Sequence, residues 1–142
     1  MVNVGDKTAT RRIARAEAIL TILPATARAL RSDSLKKGDA LATTKIAAIQ
    51  GAKQTPSLIP LCHPIALTGV DVAIKVGAAR VTLTVTTETV GQTGVEMEAM
   101  VGASTGALAL YDMVKSIDRT AHFTVRLLTK SGGRSGSWKR GS

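Results

Sequence analysis

Hydrophobic and polar positions alternate along Arg12 to Ile22, and this period of two predicts a first strand that ends at Pro24. A short helical turn is expected around Ala25–Arg31. A second helical piece starts near Asp39, a residue suited to capping a helix N-terminus, and sets Ala42, Ile46 and Ile49 on one face before stopping around Gly51. Pro56, Pro60 and Pro64 follow at a spacing of four, which predicts an extended or turning backbone over Thr55–Pro64 and no regular helix. Alternation returns at Val70, Val72, Ile74 and Val76 and again at Val81, Leu83 and Val85, with Gly77-Ala78-Ala79 as the turn of a hairpin. The longest helix is predicted from about Gly94 to Ile117. Thr93-Gly94-Val95-Glu96 has capping-box spacing, and Met100, Ala103, Ala107, Leu110, Val114 and Ile117 form one apolar stripe at intervals of three and four. A last strand covers Phe123–Leu128. The Gly/Ser-rich basic tail, from about residue 131, is expected to be mobile.

The order β-α-β-β-α-β predicts an α+β, ferredoxin-like fold, an antiparallel sheet with helices on one face, forming a single domain over residues 1–142. The opposite face is then bare, and a second copy of the chain is its simplest cover. Gly102 and Gly106, with Ala103 and Ala107, make a small-residue patch that permits close helix approach.

Composition narrows the partners. No apolar run reaches the roughly 18 residues needed to span a bilayer, so no membrane-spanning segment is expected. No positively charged stretch precedes an apolar leader, which predicts a cytoplasmic address. Cys62 is the sole cysteine, so there is no internal disulfide and no cysteine-rich zinc site. The net charge of +9, from 19 Lys+Arg against 10 Asp+Glu, calls for an anionic partner: nucleic acid, a membrane surface or a phosphorylated metabolite. Tyr111, Phe123 and Trp138 are the only aromatics, too few for a base-stacking platform. The charge therefore points to a small polyphosphate and away from nucleic acid.

Glu98, Thr105 and Asp112 lie seven residues apart, along one stripe of the long helix roughly opposite the apolar one, with Lys115 three residues beyond Asp112. The stripe reads either as a solvated face with an ion pair, or as a carboxylate and an amine held for proton transfer. A neighbouring cation lowers the pKa of Asp112, whereas burial raises it. Glu96 is accounted for by the capping box; Glu98 has no such duty. Cys62 and His63 are adjacent on an extended segment and point to opposite sides, so they do not converge on one metal, and His122 is the only other histidine. The pair is either a satisfied Cys-His in a proline-rich turn, or it offers the His63 imidazole for phosphate binding or proton shuttling. Lys36-Lys37-Gly38-Asp39 places two lysines before a helix N-terminus, which favours anions. Lys130-Ser131-Gly132-Gly133-Arg134-Ser135-Gly136 offers backbone amides and two cations to a phosphate, without the spacing of a P-loop.

Several strings resemble one family over nearly the whole chain. They are Lys37-Gly38-Asp39, Leu58-Ile59-Pro60-Leu61-Cys62-His63-Pro64, Thr93-Gly94-Val95-Glu96-Met97-Glu98-Ala99, Tyr111-Asp112-Met113-Val114-Lys115 and Leu127-Leu128-Thr129-Lys130-Ser131-Gly132-Gly133. In order and spacing they resemble the cyclic pyranopterin monophosphate synthases, the MoaC family. Asn3 departs from the aspartate that the family often carries there. The resemblance implies a lyase of molybdenum cofactor biosynthesis that converts 3′,8-cyclo-7,8-dihydro-GTP to cyclic pyranopterin monophosphate and releases pyrophosphate. It implies a ferredoxin-like fold, a homohexamer built as a trimer of dimers with sites at subunit interfaces, and a functional link to the radical GTP cyclase that makes the substrate. No resident metal or cofactor is implied; a magnesium ion could travel with the triphosphate. By position, Asp112, Lys115 and Lys37 match the catalytic set, and Leu61, Cys62, His63, Met97, Glu98, Arg12 and Lys130 match residues around the substrate. On that basis Lys37, Arg12, His63 and Lys130 would hold the triphosphate, Asp112 and Lys115 would move protons, and Glu98 would hold the guanine-derived ring. The competing expectations are a non-catalytic ligand-binding domain of the same fold and a nucleic-acid-binding module.

Overall fold

The computed structural model describes residues 1–141. In chain order the elements are β1 (Thr10–Thr21), α1 (Pro24–Arg31), α2 (Ala40–Lys53), the single turn α3 (Thr55–Leu58), β2 (Gly69–Val76), β3 (Arg80–Gly91), α4 (Glu96–Val114), β4 (His122–Ser131) and β5 (Trp138–Lys139). The sheet order is β2-β3-β1-β4-β5 with every neighbouring pair antiparallel. The first four strands give the expected ferredoxin-like arrangement, and β5 adds an edge. Among the described residues no helix is long and apolar enough to cross a membrane.

The helix-facing side of the sheet follows the alternation. Ala14, Ala16, Ala18 and Leu20 of β1 and Val81, Leu83 and Val85 of β3 are buried there. The alanine row on the central strand leaves room for α4 to lie low on the sheet. Beyond the predicted strand, β3 continues through Thr87 and Thr89, both buried. Their hydroxyls donate to Val95 O at 2.9 Å and to Ala66 O at 2.6 Å, satisfying backbone carbonyls at the start of α4 and in the approach to β2. On the opposite side stand Thr82, Thr84 and Thr86, with the pairs Arg126–Glu17 at 2.8 Å and Arg11–Glu88 at 2.5 Å.

Four expectations are corrected. In α2 the buried positions are Ala40, Thr44, Ala48, Gly51 and Ala52, while Ile46 is 62% exposed; packing against a row of small residues on α4 selects the small face, not the bulkier one. Asp39 does cap α2, its carboxylate accepting from Ala42 N at 2.9 Å. The capping box at Thr93 does not form: α4 begins at Glu96 with Val95 as N-cap and no side-chain cap, so Glu96 stands in its first turn, and its carboxylate folds back over Gly94. Pro56 sits in the first turn of α3, where its missing N–H costs nothing, so one helical turn forms after all. The tail, expected to be mobile, is folded back through residue 141, and residue 142 lies outside the described residues. Gly132, Gly133 and Gly136 adopt positive φ and turn the chain back, so that β5 pairs with Thr129 and Lys130.

Helices α2 and α4 run antiparallel at close range. A Cβ on Gly102 would lie 3.0 Å from Ala48 O, and one on Gly106 would lie 3.0 Å from the Ala48 Cβ, bearing out the small-residue patch. On the α2 side, a Cβ on Gly51 would come within 2.5 Å of Thr105 Oγ1 and 2.6 Å of Thr105 Cβ. Alanine in mid-helix normally gains about 0.5–1 kcal/mol over glycine, whereas overpacking costs about 1–3 kcal/mol. Gly51→Ala is therefore expected to lose stability, by about 1–2 kcal/mol in urea unfolding. A gain would show that the two helices are not in this close contact.

Candidate active site

The C-terminal end of α4 carries the tightest charged cluster. Lys115 ends the helix, and its Nζ lies 2.6 Å from Asp112 Oδ1. Lys37 comes from the loop between α1 and α2, and its Nζ reaches Asp112 Oδ2 at 2.7 Å and the Asp112 carbonyl at 2.9 Å. The antiparallel packing makes this meeting possible across 75 residues of sequence, because the start of α2 lies beside the end of α4. Asp112 is half exposed, and the two ammonium groups decide its titration. Hydrogen bonds from Lys115 and then Lys37 lower its pKa to about 2, outweighing the small cost of burial. The same contact raises the pKa of Lys115. At neutral pH the cluster is one carboxylate between two ammonium groups.

The other candidate residues gather at the opposite end of α4. Glu98, in the first helical turn, is only 2% exposed, which corrects the picture of a solvated polar stripe. Burial pushes its carboxyl up, with the Glu96 charge adding to the effect against a hydrogen bond from its own backbone. Cys62 lies near enough for that carboxylate to act on it: burial first, then Glu98, raises the thiol pKa. His63 lines a cavity of about 330 Å³ with Pro64, Thr89, Gly91, Gln92 and Thr93. Arg12 Nε donates to Gly91 O at 3.0 Å and Nη2 to Gln92 O at 3.2 Å, which fixes the guanidinium beside the His63 cavity. Met97 and Leu61 are exposed around this end, at 40% and 71%.

On the far side of Arg12 opens a basic pocket of about 680 Å³, lined by Lys7, Thr8, Thr10, Arg12, Gly133, Arg134 and Ser135. Lys130 hydrogen-bonds Ser135 Oγ at its rim. Gly133 lies against the Arg12 guanidinium so closely that a Cβ would overlap it, and a Cβ on Gly132 would likewise overlap the Arg11 carbonyl. The glycine pair thus serves contact as well as the turn. Lys7, Thr8 and Thr10 were not found from the sequence. A Lys-Thr pair outside any element is too common to signal a site, and only the fold places it opposite Arg134. Thr10 Oγ1 is buried there with no protein partner. Among the described residues no three His, Cys, Asp or Glu side chains come together as metal ligands.

The structure thus brings Lys37 to Asp112 and Lys115, and Arg12 to His63 and Lys130, but it does not join the two groups within one chain. Glu98 and Asp112 are fourteen residues apart on one continuous helix, or about 21 Å at 1.5 Å per residue.

The pairing at Asp112 is directly measurable. Its carboxyl carbon, followed by NMR, is expected to titrate near pH 2. Because cations hold that value down, Lys115→Ala or Lys37→Ala is expected to shift the midpoint upwards. A midpoint in the ordinary carboxylate range for the wild type would show that the pairs do not form in solution.

Comparison with known proteins gives a consistent answer. The family model described as "MoaC family" matches residues 1–133. A protein of Streptomyces griseus subsp. griseus named cyclic pyranopterin monophosphate synthase is 49% identical over 141 residues, covering 99% of this chain and 80% of that protein. A Streptomyces coelicolor protein of the same name is 48% identical, covering 99% of this chain and 83% of its own length. With the match spanning both ends of α4 and the basic pocket, the chain belongs to the MoaC family.

Proposed function

We propose that this chain is a cyclic pyranopterin monophosphate synthase, a lyase acting at an early step of molybdenum cofactor biosynthesis. Its substrate is the small triphosphate 3′,8-cyclo-7,8-dihydro-GTP. Forming a cyclic monophosphate with release of pyrophosphate exchanges one P–O bond at the α-phosphorus for another. The attacking hydroxyl gives up a proton, and pyrophosphate departs with negative charge. The reaction therefore needs a proton acceptor, a proton donor and fixed cations. The observation that carries the reading is that, in a member of this family, Lys37 and Lys115 both bond the one carboxylate of Asp112.

At neutral pH Asp112 is the acceptor of the cluster and Lys115 its donor. Held between two ammonium groups, however, Asp112 is a weak base. Substrate phosphates that draw a lysine away would raise its pKa and its basicity together. Arg12, His63, Lys130 and the pocket between Lys7 and Arg134 suit the triphosphate, where preorganised cations stabilise the charge that develops on leaving. Glu98, buried and beside Cys62, suits the N–H groups of the purine-derived ring.

The length of α4 supports a site completed between copies of the chain. One end would supply Asp112, Lys115 and Lys37, and a neighbouring chain would supply the end bearing Glu98, His63 and Arg12. Assembly as a trimer of dimers would provide such junctions.

Turnover of 3′,8-cyclo-7,8-dihydro-GTP, followed through pyrophosphate and the oxidised fluorescent pterin, tests the activity. Wild type is expected to form both products, and Asp112→Asn or Lys115→Ala to bind substrate yet lose at least about a hundredfold in kcat. Binding without turnover by the wild type would favour a ligand-binding domain. Mixing Asp112→Asn chains with Glu98→Gln chains tests the shared site: recovery of part of the activity is expected, and no recovery after subunit exchange would place both ends in separate functions.

A further inference from the structure

Asp118 is the most deeply buried carboxylate outside the groups assigned above, at 2% exposed. Among the described residues no lysine or arginine pairs with it; it is satisfied by hydrogen bonds alone. Its Oδ2 accepts from Leu23 N at 2.8 Å and Thr26 Oγ1 at 3.1 Å, and its Oδ1 accepts from Thr120 N at 3.2 Å and Thr120 Oγ1 at 2.8 Å. Burial disfavours its charge, and these bonds outweigh burial, so it stays ionised at neutral pH. Leu23, the N-cap of α1, has no side-chain cap of its own, and Asp118 accepts the Leu23 N–H from 95 residues away, tying down the start of the helix.

The position of this carboxylate matters because of what precedes it. Lys115 N donates to Tyr111 O at 2.8 Å, and both Ile117 N and Asp118 N donate to Val114 O at 2.9 Å, so Lys115–Asp118 closes the end of α4 as one tight turn. Ile117 in that turn is 51% exposed, so the turn is not anchored by burial of that side chain. The Lys115–Asp112 contact is also exposed, and an exposed ion pair does little to hold its own geometry. The geometry of the ammonium thus depends on the backbone beneath it. We propose that Asp118 is a positioning residue for Lys115: its buried carboxylate, bonded to the start of α1 and to Thr120, fixes the turn that delivers the Lys115 ammonium to Asp112 Oδ1. The role of Lys115 in turnover rests on the function proposed above; the positioning itself does not.

The charged and titratable groups around Lys115 are Asp112 and Tyr111 on its own helix, and Lys37, which shares Asp112. Asp118→Asn keeps the shape but turns one side of the group into a donor facing donors. The expected results are a fall in kcat of about tenfold with KM within about twofold, and a Lys115 ammonium, followed by lysine-selective NMR, that titrates at lower pH than in wild type. Thr26→Val removes a single bond and is expected to move both readouts the same way by less, which keeps the test available if Asp118→Asn fails to fold. If melting temperature falls while the Lys115 titration and the kcat of the folded enzyme stay at wild-type values, Asp118 is a structural cap only and the inference is wrong. Should the wild type show no turnover at all, the proposed function fails, and the Lys115 titration still decides the role of Asp118.

Discussion

The close antiparallel contact between α2 and α4 is the constraint on which the rest of the molecule depends. Glycine and alanine at Gly51, Ala48, Gly102 and Gly106 let the two helices approach until backbone and Cβ atoms touch. Large apolar side chains would bury more area but hold the axes apart. At this separation the start of α2 falls beside the end of α4, and Lys37, just ahead of α2, reaches Asp112. The cost appears on the outside of α2, where Ile46 is left in solvent.

Helix α4 works as a spacer as well as a scaffold. Its two ends present opposite environments: one exposed, with a carboxylate held ionised by lysines, the other buried, with Glu98 pushed towards its neutral form. Paired titratable groups with pKa values driven apart are what acid–base chemistry needs. A rigid helix keeps them about 21 Å apart within one chain, too far for one group to hand a proton directly to the other.

Much of this was legible in the sequence. Strand alternation gave β1 to β4 in order; Asp39 announced a cap that forms; and glycines 102 and 106 announced a helix contact that exists. What failed did so for physical reasons. Hydropathy favoured Ile46 for the core because it weighs side-chain size, whereas the partner helix required smallness. The spacing of Thr93 and Glu96 matched a capping box, but the helix starts further on, with Val95 as its N-cap and the Val95 carbonyl accepting from Thr87. The glycines of the tail suggested mobility, although a glycine at positive φ can equally direct a tight return. Periodicity left Glu98 open between a solvated face and a functional one, because the tertiary cover that buries it is not written in a one-dimensional pattern. The two-ended distribution of the site could not be seen in any one-dimensional pattern.

The uncovered side of the sheet limits what kind of surface could cover it. It presents threonines and cross-strand pairs such as Arg126–Glu17 around the half-buried Ile13 and Ile19 of β1. A surface of hydroxyls and fixed charges rewards a neighbour only when donors meet acceptors in register, and it offers little to a misaligned one. Assembly through this side would therefore be selective in orientation from the first encounter, much as a toothed joint closes in one position where a greased one would slide.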